Sequence, residues 1–270
     1  MFRDKKFKLI ACDIDVTILD NNRCVSTKLI KLVAKLKKRG YLFTLVTARY
    51  PLSALKIAKE LEISHAIVVL NGSLVTDFEH KIYFSRTFSV MLLKHELEII
   101  EEQFKDVAIN YYHDFIWQVV NPNKHTDHEC RELGIDYLSN LKLTLSEINK
   151  VTFMGEHERL YKIRQKLAKV MPNLEIQFSH SNHLEIVAKD VNKLLGLTHC
   201  ANLMNIDLNN IMAFGDGEND MPMLAGVGHG VAMDNATLQV KKVASAIAAH
   251  HLEEGVALYL EDMINKGWLN

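Results

Sequence analysis

Phe7-Lys8-Leu9-Ile10-Ala11-Cys12-Asp13-Ile14-Asp15 is a short apolar run that ends abruptly in two aspartates. A run of this length reads as a parallel strand buried on both faces, with its carboxyl end delivering polar groups to a crevice. One residue separates Asp13 from Asp15, so strand alternation aims both carboxylates to the same side. Working outward, Ser26 is a good N-cap for a helix whose apolar face is Leu29, Ile30, Leu32, Val33 and Leu36, and Gly40 is its stop. A strand is predicted over 41–46, a helix from Pro51 through Leu55, Ile57, Ala58 and Leu61, and a third strand over 66–70. This β-α rhythm predicts a parallel sheet with right-handed crossovers.

From about Phe84 the rhythm changes. A helical stretch through Leu97, Ile100 and Phe104 precedes alternating strands over 107–112 and 115–120. A strand over 151–154, a helix carrying Leu160, Ile163, Leu167 and Val170, and strands over 174–178 and 183–187 complete an α+β insert. The β-α pattern resumes near Lys189, with a helix over 193–203 and strands over 211–214 and 230–233. The expected architecture is α/β: a doubly wound, Rossmann-like core in two pieces, 1–84 and 188–270, around an inserted α+β cap at 85–187. Hinges are expected near 84–87 and 187–190.

Composition narrows the function classes. The chain has 270 residues, enough for a core and a smaller companion. No apolar run approaches the roughly 20 residues that span a bilayer, and Leu9 to Cys12 is too short for a signal-peptide core. Cys12, Cys24, Cys130 and Cys200 are scattered without a CxxC pair, which fits reduced thiols and a cytoplasmic location. Thirty-two basic residues against thirty-three acidic ones leave a net charge of -1, so no global field exists to hold a polyanion. Nucleic acid and membrane are not expected partners. Lys5-Lys6-Lys8 and Lys35-Lys37-Lys38-Arg39 read as solvated faces.

A second acidic cluster, Gly215-Asp216-Gly217-Glu218-Asn219-Asp220, follows the strand over 211–214. Two carboxylate clusters at neighbouring strand ends suit a hard cation, and magnesium fits an all-oxygen set better than zinc does. Thr47, at the end of the second strand, and Lys193, opening a helix after the insert, are placed where phosphate oxygens would need a hydroxyl and an ammonium. Taken singly, Thr47 reads as a helix cap and Lys193 as an ordinary surface lysine. His125, His128 and Cys130 have ligand-like spacing, but in an expected cap loop with no fourth partner they read as no zinc site. His250 and His251 read as surface residues. Tyr111, Tyr112, Phe115 and Trp117 read as packing for the cap sheet, with one or two facing substrate.

The order of these residues resembles the haloacid dehalogenase-like phosphatases. Asp13-Ile14-Asp15-Val16-Thr17-Ile18-Leu19, Thr47-Ala48-Arg49, Lys193 and Gly215-Asp216-Gly217-Glu218-Asn219-Asp220-Met221 look like that family's four successive motifs. Asn71-Gly72, Leu184-Glu185-Ile186 and Gly230-Val231-Ala232-Met233-Asp234-Asn235-Ala236 resemble its Cof-type branch, which carries a large α/β cap. The likeness covers nearly the whole chain.

The resemblance implies a role for each matched residue. Asp13 would be the nucleophile, forming an aspartyl-phosphate, and Asp15 the acid and base. Mg²⁺ would be held by the Asp13 carboxylate, the Asp15 carbonyl and Asp216, with Asn219 or Asp220 in support. Thr47 and Lys193 would grip the phosphoryl group, while Arg49, Asn71-Gly72 and Glu185 would contact substrate at the pocket rim or the cap. Small phosphorylated metabolites are the implied substrates, either sugar phosphates or flavin and pyridoxal phosphates. A phosphomutase and a non-catalytic phosphometabolite-binding protein are the alternatives. Two positions depart from the family pattern: Val16 replaces its usual glycine, and Ala48 a common one. The expectation is that the loop keeps a negative φ at Val16, so that valine costs little there.

Overall fold

A computed structural model describes residues 7–139 and 145–269; Lys5 and Lys6 of the basic opening lie outside that range. The first piece of chain contains β1 (Leu9–Cys12), α1 (Thr27–Lys38), β2 (Leu42–Leu45), α2 (Pro51–Glu60), β3 (Ile67–Val69), β4 (Leu74–Thr76) and β5 (Ile82–Ser85). The middle contains β6 (Phe88–Ser89), α3 (Lys94–Gln103), β7 (Ala108–His113), β8 (Ile116–Val120), α4 (Lys124–Leu133), β9 (Leu138–Ser139), β10 (Glu147–Ile148), β11 (Lys150–Met154), α5 (His157–Val170), β12 (Leu174–His180) and β13 (His183–Ala188). The last piece contains α6 (Lys193–Leu203), β14 (Ile211–Gly215), α7 (Met221–Gly226), β15 (His229–Met233), α8 (Leu238–Val243), β16 (Ala246–Ala248) and α9 (Gly255–Asn265).

Five parallel strands form the core sheet in the order β16-β15-β14-β1-β2. The central strand β1 pairs β2 from the same piece on one side and β14 from the last piece on the other, with Cys12 opposite both Leu45 and Phe214. Its four residues are wholly buried, as a strand covered on both faces requires. Helix α1 begins where Ser26 Oγ accepts the Leu29 N–H at 3.1 Å and turns Leu29, Leu32, Val33 and Leu36 inward. A second sheet, in the order β12-β13-β11-β7-β8-β9, is antiparallel except for its last pair and packs its own apolar cluster against α3 and α5. The fold is thus α/β with a Rossmann-like parallel core and an inserted cap. We propose 1–84 and 188–270 as the core and 85–187 as the cap.

Two local expectations change. The third predicted strand leaves the main sheet: β3 keeps one parallel bridge, Val68 to Val46, and then folds back as a hairpin onto β4. The cause is a turn of left-handed residues, Leu70 at φ 49°, Asn71 at 61° and Gly72 at 96°, which reverses the chain. The segment around His125, His128 and Cys130 is helix α4 rather than a loop. Asn123 caps it by accepting the His125 and Thr126 N–H groups at 2.9 and 3.2 Å, and Gly134 ends it at φ 57°. His125 is held by Asn182 at 3.4 Å, and these residues form no metal cluster among the described residues. No helix among the described residues is long and apolar enough to cross a membrane.

Candidate active site

Parallel pairing of β1 with β14 brings the two acidic clusters to one end of the sheet. Asp13 follows β1, and its N–H donates to the Phe214 carbonyl at 3.0 Å, which fixes its height against Asp216. Lys193 enters from the first turn of α6, where Asn192 Oδ1 accepts the Leu195 N–H at 3.0 Å. The lysine is 1% exposed, and its ammonium donates to Asp13 Oδ1 and to Asp220 Oδ1, each at 2.7 Å. Burial alone would lower its pKa, but the two carboxylates hold it well above the ordinary lysine value.

Asp220 is fully engaged. Its Oδ2 accepts the backbone N–H groups of Asp216 and Gly217 at 3.0 and 2.9 Å, so it shapes the loop that presents Asp216. Gly215 is needed for that close approach: a Cβ there would lie 2.4 Å from the Asp220 carboxyl carbon. Asp216 keeps Oδ1 on the Thr17 hydroxyl at 2.8 Å. Carboxylate oxygens of Asp13, Asp216 and Asp220 all lie within 4.8 Å of one another. Burial, only partly countered by Lys193, pushes the Asp13 carboxyl up to about 7. Burial, then Asp13 and Asp220, push Asp216 up to about 8. Crowded carboxylates with one ammonium among them are short of positive charge, and the all-oxygen donor set fits a hard divalent cation.

Asp15 turns away from this cluster. Arg49 grips it at two points, Nε to Oδ2 at 2.7 Å and Nη2 to Oδ1 at 2.6 Å, while Arg23 Nη2 reaches Oδ1 at 3.3 Å. Burial would raise its pKa, yet these guanidinium groups hold it well below the usual carboxylate range. Thr47 Oγ1 accepts the Arg49 N–H at 3.1 Å, and Thr47 is among the residues that line the cleft. Val16 departs from expectation, because its φ is 59°. The turn after β1, closed by Thr17 and Ile18 N–H groups on the Ile14 carbonyl, needs a left-handed residue, and Asn235 Nδ2 clamps the Val16 carbonyl at 2.9 Å. A β-branched residue in that region is strained.

The cap closes the cleft, which has a volume of about 260 Å³. Its wall includes Tyr112, Lys150 and Glu185, with Glu129 from α4 beside Arg23 and Arg49. Tyr111, on the opposite face of β7, is buried in the cap's own core, while Trp117 stacks on Tyr112. Phe115 is bonded through its carbonyl to the Tyr50 hydroxyl, a direct tie from cap to core. Asn71 and Gly72 do not line the cleft. Asn71 is buried behind it, accepting from Asn219 Nδ2 at 3.1 Å, and Gly72 lies so near the start of α6 that a Cβ would meet the Asn192 carbonyl oxygen at 2.0 Å. These residues set the position of Lys193 rather than the shape of the cleft. Arg23, Glu129, Lys150 and Ser179 line the cleft without having stood out in the sequence. Lys150 alone carried a signal, as a charge opening the apolar run Val151 to Met154.

The family profile described as haloacid dehalogenase-like hydrolase matches residues 10–260. A putative phosphatase of Haemophilus influenzae is 28% identical over 258 residues, covering 95% of this chain and 98% of that protein. An HMP-PP phosphatase of Serratia proteamaculans is 27% identical, covering 97% of each chain. A 5-amino-6-(5-phospho-D-ribitylamino)uracil phosphatase of Bacillus subtilis is 26% identical, covering 94% of each. Among solved structures, a haloacid dehalogenase-like hydrolase from Bacteroides thetaiotaomicron superposes with a TM-score of 0.83 at 23% identity, covering 96% of this chain and 100% of that one.

Proposed function

The chain belongs to the haloacid dehalogenase-like hydrolase family and is a phosphatase, and from that premise we propose that it hydrolyses small phosphate monoesters with Asp13 as nucleophile and Mg²⁺ as its ion. The observation that carries the reading is the convergence of Asp13, Asp216 and Lys193 at one end of the core sheet. Asp13 and Asp216 would hold the ion, with the Asp15 carbonyl as a further ligand, while Asp220 and Asn219 brace the loop from behind. When bound, the ion supplies positive charge to the phosphoryl oxygens and to Asp13, and so draws Asp13 into its ionised form.

Asp13 attacks phosphorus and takes the phosphoryl group as an aspartyl-phosphate, while the ester oxygen leaves. Lys193 and Thr47 hold the equatorial oxygens, where charge accumulates as the group transfers. Asp15 protonates the leaving oxygen, then removes a proton from the water that hydrolyses the intermediate. Paired with Arg49 it is in the ionised form suited to the second step. Serving as acid in the first step requires that pair to loosen when substrate enters.

The substrate is proposed to be a small phosphorylated metabolite, a sugar phosphate or a flavin or pyridoxal-type phosphate, on a size that the closed cleft admits. A cytoplasmic location belongs to the same proposal, on the scattered free cysteines. The test is a phosphate-release screen over small phosphate esters with Mg²⁺ and with chelator. Turnover that persists in chelator removes the ion from the reading, and silence across the whole panel removes the hydrolase reading.

A further inference from the structure

Val16 stands left-handed directly after Asp15, a conformation that a β-branched side chain disfavours. The N–H groups of Thr17, Ile18 and Leu19 fold back on the Ile14 carbonyl at 3.4, 3.0 and 3.2 Å and close the turn around it. Asn235 holds that turn from outside. It follows β15, so it reaches past the end of β14 to the turn after β1, where its Nδ2 donates to the Val16 carbonyl at 2.9 Å. Its Oδ1 accepts the His251 N–H at 3.0 Å. A backbone N–H only donates and a carbonyl only accepts, so both ends of the amide are specified and reversing it would break both bonds. His251 adds a second grip, its Nδ1 bonded to the Leu19 carbonyl at 2.8 Å. Two residues from the last piece of chain thus hold the turn at Val16 and at Leu19.

Two groups of the proposed ion site depend on this turn. Rotation about φ of Val16 swings the rigid peptide that joins it to Asp15, and with it the Asp15 carbonyl. One residue further on, the Thr17 hydroxyl donates to Asp216 Oδ1 at 2.8 Å. A left-handed valine persists only where its surroundings over-determine it, and relaxation to negative φ would turn the carbonyl and draw Thr17 off Asp216. We propose that Asn235, backed by His251, is a positioning residue for the ion site: it holds Val16 left-handed and so keeps the Asp15 carbonyl and Asp216 placed for Mg²⁺. The inference rests on the ion assignment made above and deepens it. Glycine at position 16 adopts the same φ at little cost, so the demand on Asn235 comes from the valine of this chain.

The test is a double-variant cycle on substrate-free protein, with wild type, Asn235→Ala, Val16→Gly and the two combined. Mg²⁺ affinity is read from the dependence of melting temperature on Mg²⁺ concentration. Asn235→Ala should weaken Mg²⁺ binding about tenfold, the low end of what loss of an outer support costs a metal site. Val16→Gly alone should stay within about threefold of wild type, and adding it to Asn235→Ala should recover most of the loss. Asn235→Asp keeps the acceptor for His251 but sets an oxygen against the Val16 carbonyl, so it should weaken binding at least as much as alanine does. A lower metal-free melting temperature in Asn235→Ala with unchanged Mg²⁺ affinity reduces Asn235 to a structural residue and overturns the inference. Equal losses of affinity with valine and with glycine at position 16 overturn it too, and in both cases the ion reading stands. If Asn235→Ala does not fold, recovery of folding by Val16→Gly reports the same coupling, and its failure overturns the inference. A wild type whose melting temperature ignores Mg²⁺ overturns the ion reading and this inference together.

Discussion

Arg49 and Asp15 form a two-point ion pair, with guanidinium nitrogens 2.7 and 2.6 Å from the two carboxylate oxygens. The geometry fixes both the charge and the direction of the carboxylate, because a planar fork bonded to both oxygens leaves little rotational freedom. Loss of Arg49 raises the Asp15 pKa, since the pairing is what depresses it. The base form of Asp15 is then populated only at higher pH. Arg49→Ala should accordingly move the acidic limb of the kcat profile upward where hydrolysis of the intermediate limits turnover, with Arg23 limiting the displacement. A profile that stays in place would mean that the pair is already broken in the working enzyme.

Asp13→Asn should lower kcat by about four orders of magnitude or more, because the amide cannot become the phosphorylated carboxylate. Its melting temperature should equal or exceed that of wild type. Burial already disfavours the Asp13 charge, and Lys193 keeps Asp220 as a partner. Calorimetry beside single-turnover labelling checks both halves; a labelled Asp13→Asn protein would place the nucleophile elsewhere.

Metal-free stability should fall as pH rises. Asp13 near 7 and Asp216 near 8 stand above the ordinary value of 3.8, so the folded chain keeps protons that the unfolded chain has released. The stability this contributes is complete below about pH 4 and is lost as pH climbs through about 8. A bound divalent cation reverses the trend, since it needs the ionised carboxylates and competes with their protons. Melting curves in chelator and in Mg²⁺ from about pH 5 to about pH 8 should diverge most at the alkaline end. An Asp13→Asn/Asp216→Asn double variant serves as control, and slopes matching wild type would contradict the assignment.

Val16→Gly should stabilise the protein. Relief of left-handed strain is worth roughly 1 to 3 kcal/mol, against about 0.5 to 1 kcal/mol for the freer unfolded glycine. A net gain of about 1 kcal/mol is expected from denaturant unfolding. The change in kcat should stay under about tenfold, because Asp15 is already anchored by Arg49 and the turn by Asn235. A thousandfold rise would instead identify the natural chain as a disabled, ligand-binding relative.

What could be read from the sequence follows periodicity. The apolar run before Asp13, the Ser26 cap and the 193–203 helix each carry a local pattern, and each occurs where that pattern predicts. Helix α4 carries no such pattern, because its face is mostly polar and only its Asn123 and Gly134 caps mark it. At Val16 residue type favours a negative φ, whereas the turn and the Asn235 clamp impose the opposite. Lys150, Arg23 and Glu129 come to the cleft through strand pairing and cap docking across long stretches of chain. No spacing rule reports such contacts.

Since β1 sits between β2 and β14, the strand carrying the proposed nucleophile is completed only when residues from the far end of the chain arrive. Leu9 must find Ile211, a closure that skips the entire cap. Such distant pairing is slow relative to local structure. A chain emerging from the ribosome therefore carries Asp13 on an open sheet edge, without Asp216 or Lys193, until synthesis is well past the cap. The proposed catalytic cluster assembles late and all at once. The same interval exposes an apolar strand to misassembly, so the yield of folded protein should depend on how quickly the last piece is made.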